Sequence, residues 1–173
     1  MNGSSILRTL LKFFIIWVVQ IVVLKQMLFW PLGIYHYEAF VYPLFILLLP
    51  YGMHINVLMI IAFFAGLTID ASYNTLGVHT ASSVVLAFWR SSFLELVLPR
   101  GMDENLAPSM GKLNFLPFTR YVAFSLLLYL VFYYAMVHFS HLFIVEIIVK
   151  SLLSFVVSLF FTLILAGILN ALD

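Results

Sequence analysis

Apolar positions run almost without interruption through this chain, in stretches long enough to cross a bilayer. A helix needs about 20 predominantly apolar residues to span roughly 30 Å of hydrocarbon. Short polar breaks divide the sequence into six such segments, at residues 10–30, 38–50, 54–70, 75–98, 119–139 and 142–169. The pattern predicts an all-α membrane protein, a six-transmembrane-helix bundle that forms a single integral membrane domain over residues 1–173.

The second segment is the weakest of the six. Its sequence, EAFVYPLFILLLP, has barely a dozen apolar residues before Pro50, which is short enough for a re-entrant segment. Basic residues in short loops stay on the cytoplasmic side. If this segment crosses, Lys25 lies outside and six basic residues lie inside: Arg8, Lys12, Arg90, Arg100, Lys112 and Arg120. If the segment does not cross, the basic residues no longer lie mainly on one side of the membrane. We therefore expect six spans with both termini in the cytoplasm.

The composition agrees with a lipid environment. Hydrophobic residues make up 65% of the chain and charged residues 9%, whereas a soluble domain is typically about 25% charged. The aromatics near the second segment, including Tyr42 and Tyr51, are of the kind found at the headgroup belt. A net charge of +1 without a basic cluster gives no sign of nucleic-acid binding. The absence of cysteine excludes disulfides and thiolate metal sites.

One long loop, residues 99–118, is expected in the cytoplasm. Its three prolines disfavour a continuous helix, and acidic residues mix with basic ones. The basic residues that mark this side are Arg90, Arg100, Lys112 and Arg120. The loop is either a solvated connector or a docking surface for a cytoplasmic partner.

The stretch GLTIDASYNTLGVHT, residues 66–80, is the most polar part of the apolar region. Asp70 either contacts a ligand or partner or, together with Asn74, satisfies backbone groups where a helix ends. Gly66 and Gly77 would let two helices approach closely. A lone histidine such as His79 is more often a packing residue than a metal ligand, so no metal is expected.

The last segment carries polar residues at every fourth position: Glu146, Lys150, Ser154, Ser158 and Thr162. This spacing forms one stripe along an otherwise apolar helix. The stripe must face protein, either as the inward seam of the bundle or as a proton or ion relay. Glu146 and Lys150 are placed for an i, i+4 ion pair.

No enzyme chemistry is predicted. The chain has no nucleophile with a base, no paired carboxylates and no metal-binding constellation. Phosphate-binding glycine loops and hydrolase motifs are also absent from the sequence. We therefore expect neither a catalytic residue nor a cofactor.

The sequence resembles the MreD family of rod shape-determining proteins, in the form found in Bacteroidetes-type bacteria. The resemblance covers most of the chain through its size and six apolar segments. Its most specific part is GLTIDASYNTLGVHTASSVVLAFWR with the following LPRG. Within this stretch, the G-x-x-x-D and L-G-x-H elements are formed by Gly66, Asp70, Leu76, Gly77 and His79.

The resemblance implies a non-enzymatic subunit of the cell-elongation machinery in the bacterial inner membrane. Its direct partner would be MreC, a membrane-anchored coiled-coil protein. Indirect partners would be a SEDS glycosyltransferase, a class B penicillin-binding transpeptidase and the filament protein MreB, and the complex would organise peptidoglycan synthesis and cell shape.

The family's fold is distantly similar to that of S subunits of energy-coupling-factor transporters. This similarity supplies an alternative function, a small-molecule-binding transporter subunit with an outward cavity near Asp70, His79 and Glu146. It is an analogy at the level of fold and assigns no ligand.

Overall fold

The structure, a computed structural model, describes residues 3–27, 38–97, 107–138 and 144–170, and every regular element in these ranges is helical. The all-α prediction is therefore confirmed for the described residues. The α-helices are α1 (Gly3–Val18), α2 (Lys25–Met27), α3 (Pro43–Leu47), α4 (Ile55–Tyr73), α5 (Val78–Glu95), α6 (Met110–Leu113), α7 (Phe115–His138) and α8 (Ile144–Asn170). A π-helical stretch, Val19–Leu24, joins α1 to α2 without a break.

Three described helices, α4, α7 and α8, are long and apolar enough to cross a membrane. The stretch Thr9–Leu24 is a shorter apolar helix. The prediction of six spanning helices is therefore not supported. Helix α5 has the length of a span, but its sequence includes His79, Arg90, Glu95 and several serines, which lower its hydropathy.

The prediction of a helix over residues 38–50 is wrong. Glu38 to Val41 has no regular secondary structure, and only Pro43–Leu47 is helical. Pro43 stands in the first turn of α3, where its missing N–H is tolerated, and Pro50 follows soon after the helix ends. Residues 39–47 are buried throughout, so this segment belongs to the protein core.

The helices pack around residues 38–50. Helix α4 pairs with α5, α5 with α7, and α7 with α8, while α3 contacts α1, α4, α5 and α7. Non-helical backbone at membrane depth is tolerated only where protein or water surrounds it. The buried position of residues 38–50, which we call the inner segment, meets this condition.

Candidate functional site

The turn between α4 and α5, within residues 66–80 (the α4–α5 corner), is organised by Asp70. This carboxylate is 4% exposed and accepts four hydrogen bonds, two of them from the hydroxyls of Thr75 and Thr80. The other two come from the backbone N–H groups of His79, at 3.1 Å, and Thr80, at 2.8 Å. Gly77, the residue before α5, offers no side-chain cap. Asp70 therefore caps α5 from the end of the preceding helix.

Two residues of the corner adopt left-handed backbone conformations. Asn74, with φ 56°, ends α4, and Gly77, with φ 80°, precedes α5. Glycine and asparagine tolerate this conformation better than other residues do. A Cβ added at Gly77 would meet no atom within 4 Å. The expected close packing at Gly77 is therefore wrong, and its positive φ explains why glycine suits the position.

Gly66 permits the closest approach of α4 and α5. A Cβ at this position would lie 2.5 Å from the Cα of Thr80 and 3.0 Å from the carbonyl oxygen of His79. Both neighbours are backbone atoms, which cannot rotate away. The close approach predicted at Gly66 is present, and it brings Asp70 within reach of the first N–H groups of α5.

His79 is completely buried in an aromatic cluster. Its Nδ1 lies 2.8 Å from the hydroxyl of Tyr129 and 3.4 Å from that of Tyr42. The rings of Phe40 and Tyr133 pack against the imidazole, with centroids 5.2 and 4.8 Å away. Nε2 has no hydrogen-bond partner among the described residues. His79 is thus a packing residue of the core, as the sequence favours.

The seam of α8 faces inward, as predicted. Ser154, Ser158 and Thr162 are fully buried. The Ser154 hydroxyl accepts from the backbone N–H of Glu38 at 3.1 Å, and Ser158 accepts from that of Phe40 at 2.8 Å. Two seam hydroxyls therefore satisfy backbone donors in the non-helical part of the inner segment.

Gln20, in the π-helical stretch, holds the same segment from the opposite side. Its side-chain oxygen accepts from the N–H groups of Val41, at 2.7 Å, and Tyr42, at 3.3 Å. Its amide nitrogen donates to the carbonyl of Ala39 at 3.1 Å and lies 2.7 Å from the Tyr73 hydroxyl. Together with the α8 seam, Gln20 supplies side-chain hydrogen-bond partners for backbone groups of the inner segment that have no partner within a helix or a sheet.

The two charged positions of the α8 stripe lie near its first turn. The Lys150 ammonium is 2.6 Å from the Glu146 carboxylate, as expected for an i, i+4 pair, and 3.2 Å from Nε2 of His138. Both charged side chains are partly exposed. No group of three or more potential metal ligands occurs in the described ranges.

The basic residues assigned to the cytoplasmic loop have different environments. Arg90 is not in a loop: it lies within α5, 2% exposed, and donates to the Tyr121 hydroxyl and the carbonyls of Leu49 and Pro50. A cation beside the last carbonyls of a helical segment is favourable, which explains its burial next to α3. Arg120 is exposed on α7, Lys112 is exposed on α6, and Arg100 lies outside the described residues.

The residues proposed to line an outward cavity do not share an open space. The carboxylate of Asp70 is hydrogen-bonded within the α4–α5 corner, aromatic rings surround the His79 ring, and Glu146 pairs with Lys150. An apolar cleft between α1 and α4, bordered by Trp17 and Phe45, is too narrow to admit a water molecule. Small-molecule sites usually span about 300–1,000 Å³.

Sequence reasoning placed some residues of this network incorrectly. Tyr42, expected at the headgroup belt, is 3% exposed and hydrogen-bonds to Ser83 and Tyr129 in the core. Glu38, which precedes the second apolar segment, accepts from the Tyr133 hydroxyl at 3.0 Å. A single tyrosine or glutamine within an apolar run does not predict whether its side chain will be buried, because burial depends on which helix packs against it.

The geometry is therefore that of a closed polar network. It stabilises a corner and an inner segment. No family model, curated protein or solved structure matches this chain, so the comparisons place it in no family.

Proposed function

We propose that this chain is a non-enzymatic subunit of the bacterial cell-elongation complex, similar to MreD, that binds MreC in the inner membrane. The observation that carries the proposal is the internal use of the polar residues of the α4–α5 corner. Asp70 caps α5, and His79 packs in the core. A corner whose carboxylate is already used to cap the next helix is suited to holding a rigid surface.

The same observation favours assembly over the transporter alternative. A ligand-binding subunit needs several polar groups that converge on a cavity. The polar groups nominated for that role are engaged within the protein, and the apolar cleft beside α1 is small. The resemblance to MreD then supplies the partners: MreC directly, and through it the glycosyltransferase, the transpeptidase and MreB.

We further propose that the chain crosses the membrane six times, with both termini in the cytoplasm. Support comes from the path of the inner segment beside α7. The Glu38 N–H lies 3.3 Å from the Tyr134 hydroxyl, and the Leu47 carbonyl accepts from the Tyr121 hydroxyl at 3.1 Å. These two tyrosines are separated along α7 by about 20 Å, at 1.5 Å per residue. The inner segment therefore runs for about 20 Å beside α7, and we propose that it carries the chain across the roughly 30 Å of hydrocarbon without being a long helix.

The direct test is co-purification from native membranes. A tagged copy of the chain, extracted in mild detergent, should retrieve MreC, and a tagged unrelated inner-membrane protein should not. Mass spectrometry of the purified protein should find no stoichiometric small molecule. Failure to retrieve MreC, together with a retained vitamin-like compound, would reverse the ranking in favour of the transporter subunit.

A further inference from the structure

Three titratable side chains meet where α7 ends and α8 begins. His138 is the last residue of α7, and Glu146 and Lys150 lie in the first two turns of α8. The Lys150 ammonium is 2.6 Å from an oxygen of Glu146 and 3.2 Å from Nε2 of His138. The same nitrogen of His138 is 3.9 Å from that oxygen of Glu146. Each group therefore lies close enough to the other two for its charge to act on both.

The contact between Lys150 and His138 requires a neutral imidazole. An ammonium group has three hydrogen-bond donors and no acceptor, so a bond between the two nitrogens needs an unprotonated Nε2. The proton of the neutral ring is then on Nδ1, because the hydrogen bond at one ring nitrogen fixes the state of the other. Histidine ordinarily changes its charge between pH 5 and 8. The observed contact therefore belongs to the deprotonated side of that transition.

Protonation of His138 would turn this attraction into repulsion. A proton on Nε2 would place an imidazolium next to the ammonium of Lys150, whose side chain is only 15% exposed and so is weakly screened by water. The imidazolium would instead attract Glu146. Charge-assisted hydrogen bonds of this kind are about 2.7–2.9 Å long, so the 3.9 Å separation needs to shorten by about 1 Å.

The remaining groups at this site come from the inner segment and from α7. Glu38, at the start of the inner segment, attracts the charge of Lys150 and accepts from the Tyr133 hydroxyl at 3.0 Å. The Tyr134 hydroxyl lies 3.3 Å from the N–H of Glu38. Tyrosine ordinarily stays uncharged below pH 8, so acidification leaves both hydroxyls unchanged. Glu38 is therefore a second carboxylate to which the Lys150 ammonium can turn.

We propose that protonation of His138 switches the partner of Glu146. Above the transition, Lys150 pairs with Glu146 along α8 and donates to His138. Below it, one proton from water occupies Nε2, the imidazolium pairs with Glu146, and Lys150 turns to Glu38. One ion pair within α8 is thus exchanged for two pairs, which join α8 to α7 and to the inner segment. The switch is built from contacts within the chain and does not depend on the MreC assignment.

The wild-type chain itself tests the protonation state. Nitrogen-15 NMR of histidine-labelled protein in detergent reports which ring nitrogens carry a proton, and the His138 signals are those absent from His138→Gln. At pH 8 we expect the proton of His138 on Nδ1, and Lys150→Met should abolish that preference. His54, exposed before α4, should be unchanged by Lys150→Met. A proton on Nε2 of His138 at pH 8 would overturn the switch.

The exchange of partners is tested at the inner segment. Ala39→Cys places a thiol next to Glu38, at a buried position in a chain without native cysteine. A water-soluble maleimide modifies this thiol at pH 6 and at pH 8, and the ratio of the two rates is compared with the ratio in the His138→Gln background. Glutamine keeps an acceptor for Lys150 and has no charge at either pH. This background therefore gives the effect of pH on the thiol itself.

With His138 present, we expect modification at pH 6 to be slower by a further factor of about three, as for partly exposed ion pairs. Glu38→Gln should remove that slowing, because Lys150 then lacks the carboxylate to which it turns. Equal rate ratios with His138 and with His138→Gln would overturn the switch. Slowing that persists in Glu38→Gln would overturn the transfer of Lys150 to the inner segment.

Discussion

A single carboxylate organises the α4–α5 corner, because Asp70 replaces the missing side-chain cap of the next helix. Four donors converge on its two oxygens in a buried position. A buried donor that loses its acceptor costs about 1–3 kcal/mol. Asp70 is therefore a stabilising residue of the corner, and its substitution cannot by itself locate a partner surface.

We expect Asp70→Ala to lower the free energy of unfolding by about 1–3 kcal/mol, because the N–H groups of His79 and Thr80 lose their acceptor. Thermal unfolding of the purified protein in detergent measures the effect. Glu146→Gln serves as the control, since that ion pair is partly exposed and we expect no measurable shift. Wild-type stability in Asp70→Ala would show that the cap is dispensable.

At the residue scale, Leu76 and Asp70 show that the exposure of a residue must be known as well as its type. Both lie in one polar turn, yet one is fully exposed and the other is buried. The carboxylate of Asp70 bonds to the hydroxyls of Thr75 and Thr80, so these polar groups are used within the fold.

At the scale of elements, the α4–α5 pair depends on one glycine for its close approach. Gly66→Ala would place a methyl group 2.5 Å from the Cα of Thr80. The two backbones must separate, and we expect a loss of about 1–3 kcal/mol in the same unfolding measurement. The separation would also weaken the bonds that Asp70 accepts from α5.

Gly167→Ala is the matched control for this change. Gly167 lies in α8, and an added Cβ meets nothing within 4 Å. We expect stability to be unchanged or to rise by up to about 1 kcal/mol, because alanine favours the helix. Equal effects of the two substitutions would mean that the contact at Gly66 does not limit the packing of α4 and α5.

The inner segment depends on side chains of other elements for its backbone hydrogen bonds. Gln20→Leu would leave the N–H groups of Val41 and Tyr42 without their acceptor. We expect the segment to open to water more often, since the lost bonds hold it against the π-helical stretch. The effect is measurable at Ala39→Cys, a buried probe position in a chain that has no native cysteine.

The measurement is the rate at which a water-soluble maleimide modifies the cysteine at position 39. Gln20→Leu should accelerate modification severalfold, whereas Gln26→Leu, at an exposed position of α2, should leave it slow. Slow modification in both backgrounds would show that Ser154 and Ser158 are sufficient to hold the segment.

At the scale of the molecule, two ends of the bundle can be distinguished. Lys25 donates to the Ser72 carbonyl at one end, and Arg90 donates to the Pro50 carbonyl at the other. In the proposed topology the first end faces outward and the second faces the cytoplasm. The inner segment would then carry the chain from the outer to the cytoplasmic side.

Single cysteines at three exposed positions test this topology in intact cells. A membrane-impermeant maleimide should modify Gln26→Cys directly, and Gly52→Cys and Leu96→Cys only after the membrane is made permeable. Exposure of all three residues makes the sites comparable. Modification of Gln26→Cys and Gly52→Cys from the same side would mean that residues 38–50 do not cross.

Much of the helical fold is predictable from local sequence. Long apolar runs predict α4, α7 and α8, and the polar residues between Gly66 and Thr80 predict a turn. Ser154, Ser158 and Thr162 recur at every fourth position, which predicts a buried seam. These features follow from helix periodicity and from the cost of exposing polar groups to lipid, which act on residues close in sequence.

The network that those elements create is decided by tertiary structure. Hydropathy treats residues 38–50 as a short span, whereas side chains from α8 and the π-helical stretch bond to the backbone of its non-helical part. Arg90 is buried because α3 ends beside it, and Asp70 reaches α5 because Gly66 lets the two helices meet. Each outcome depends on which remote backbone groups lack a partner. The sequence thus determined helices, turn and seam, and only packing decided which polar groups satisfy one another.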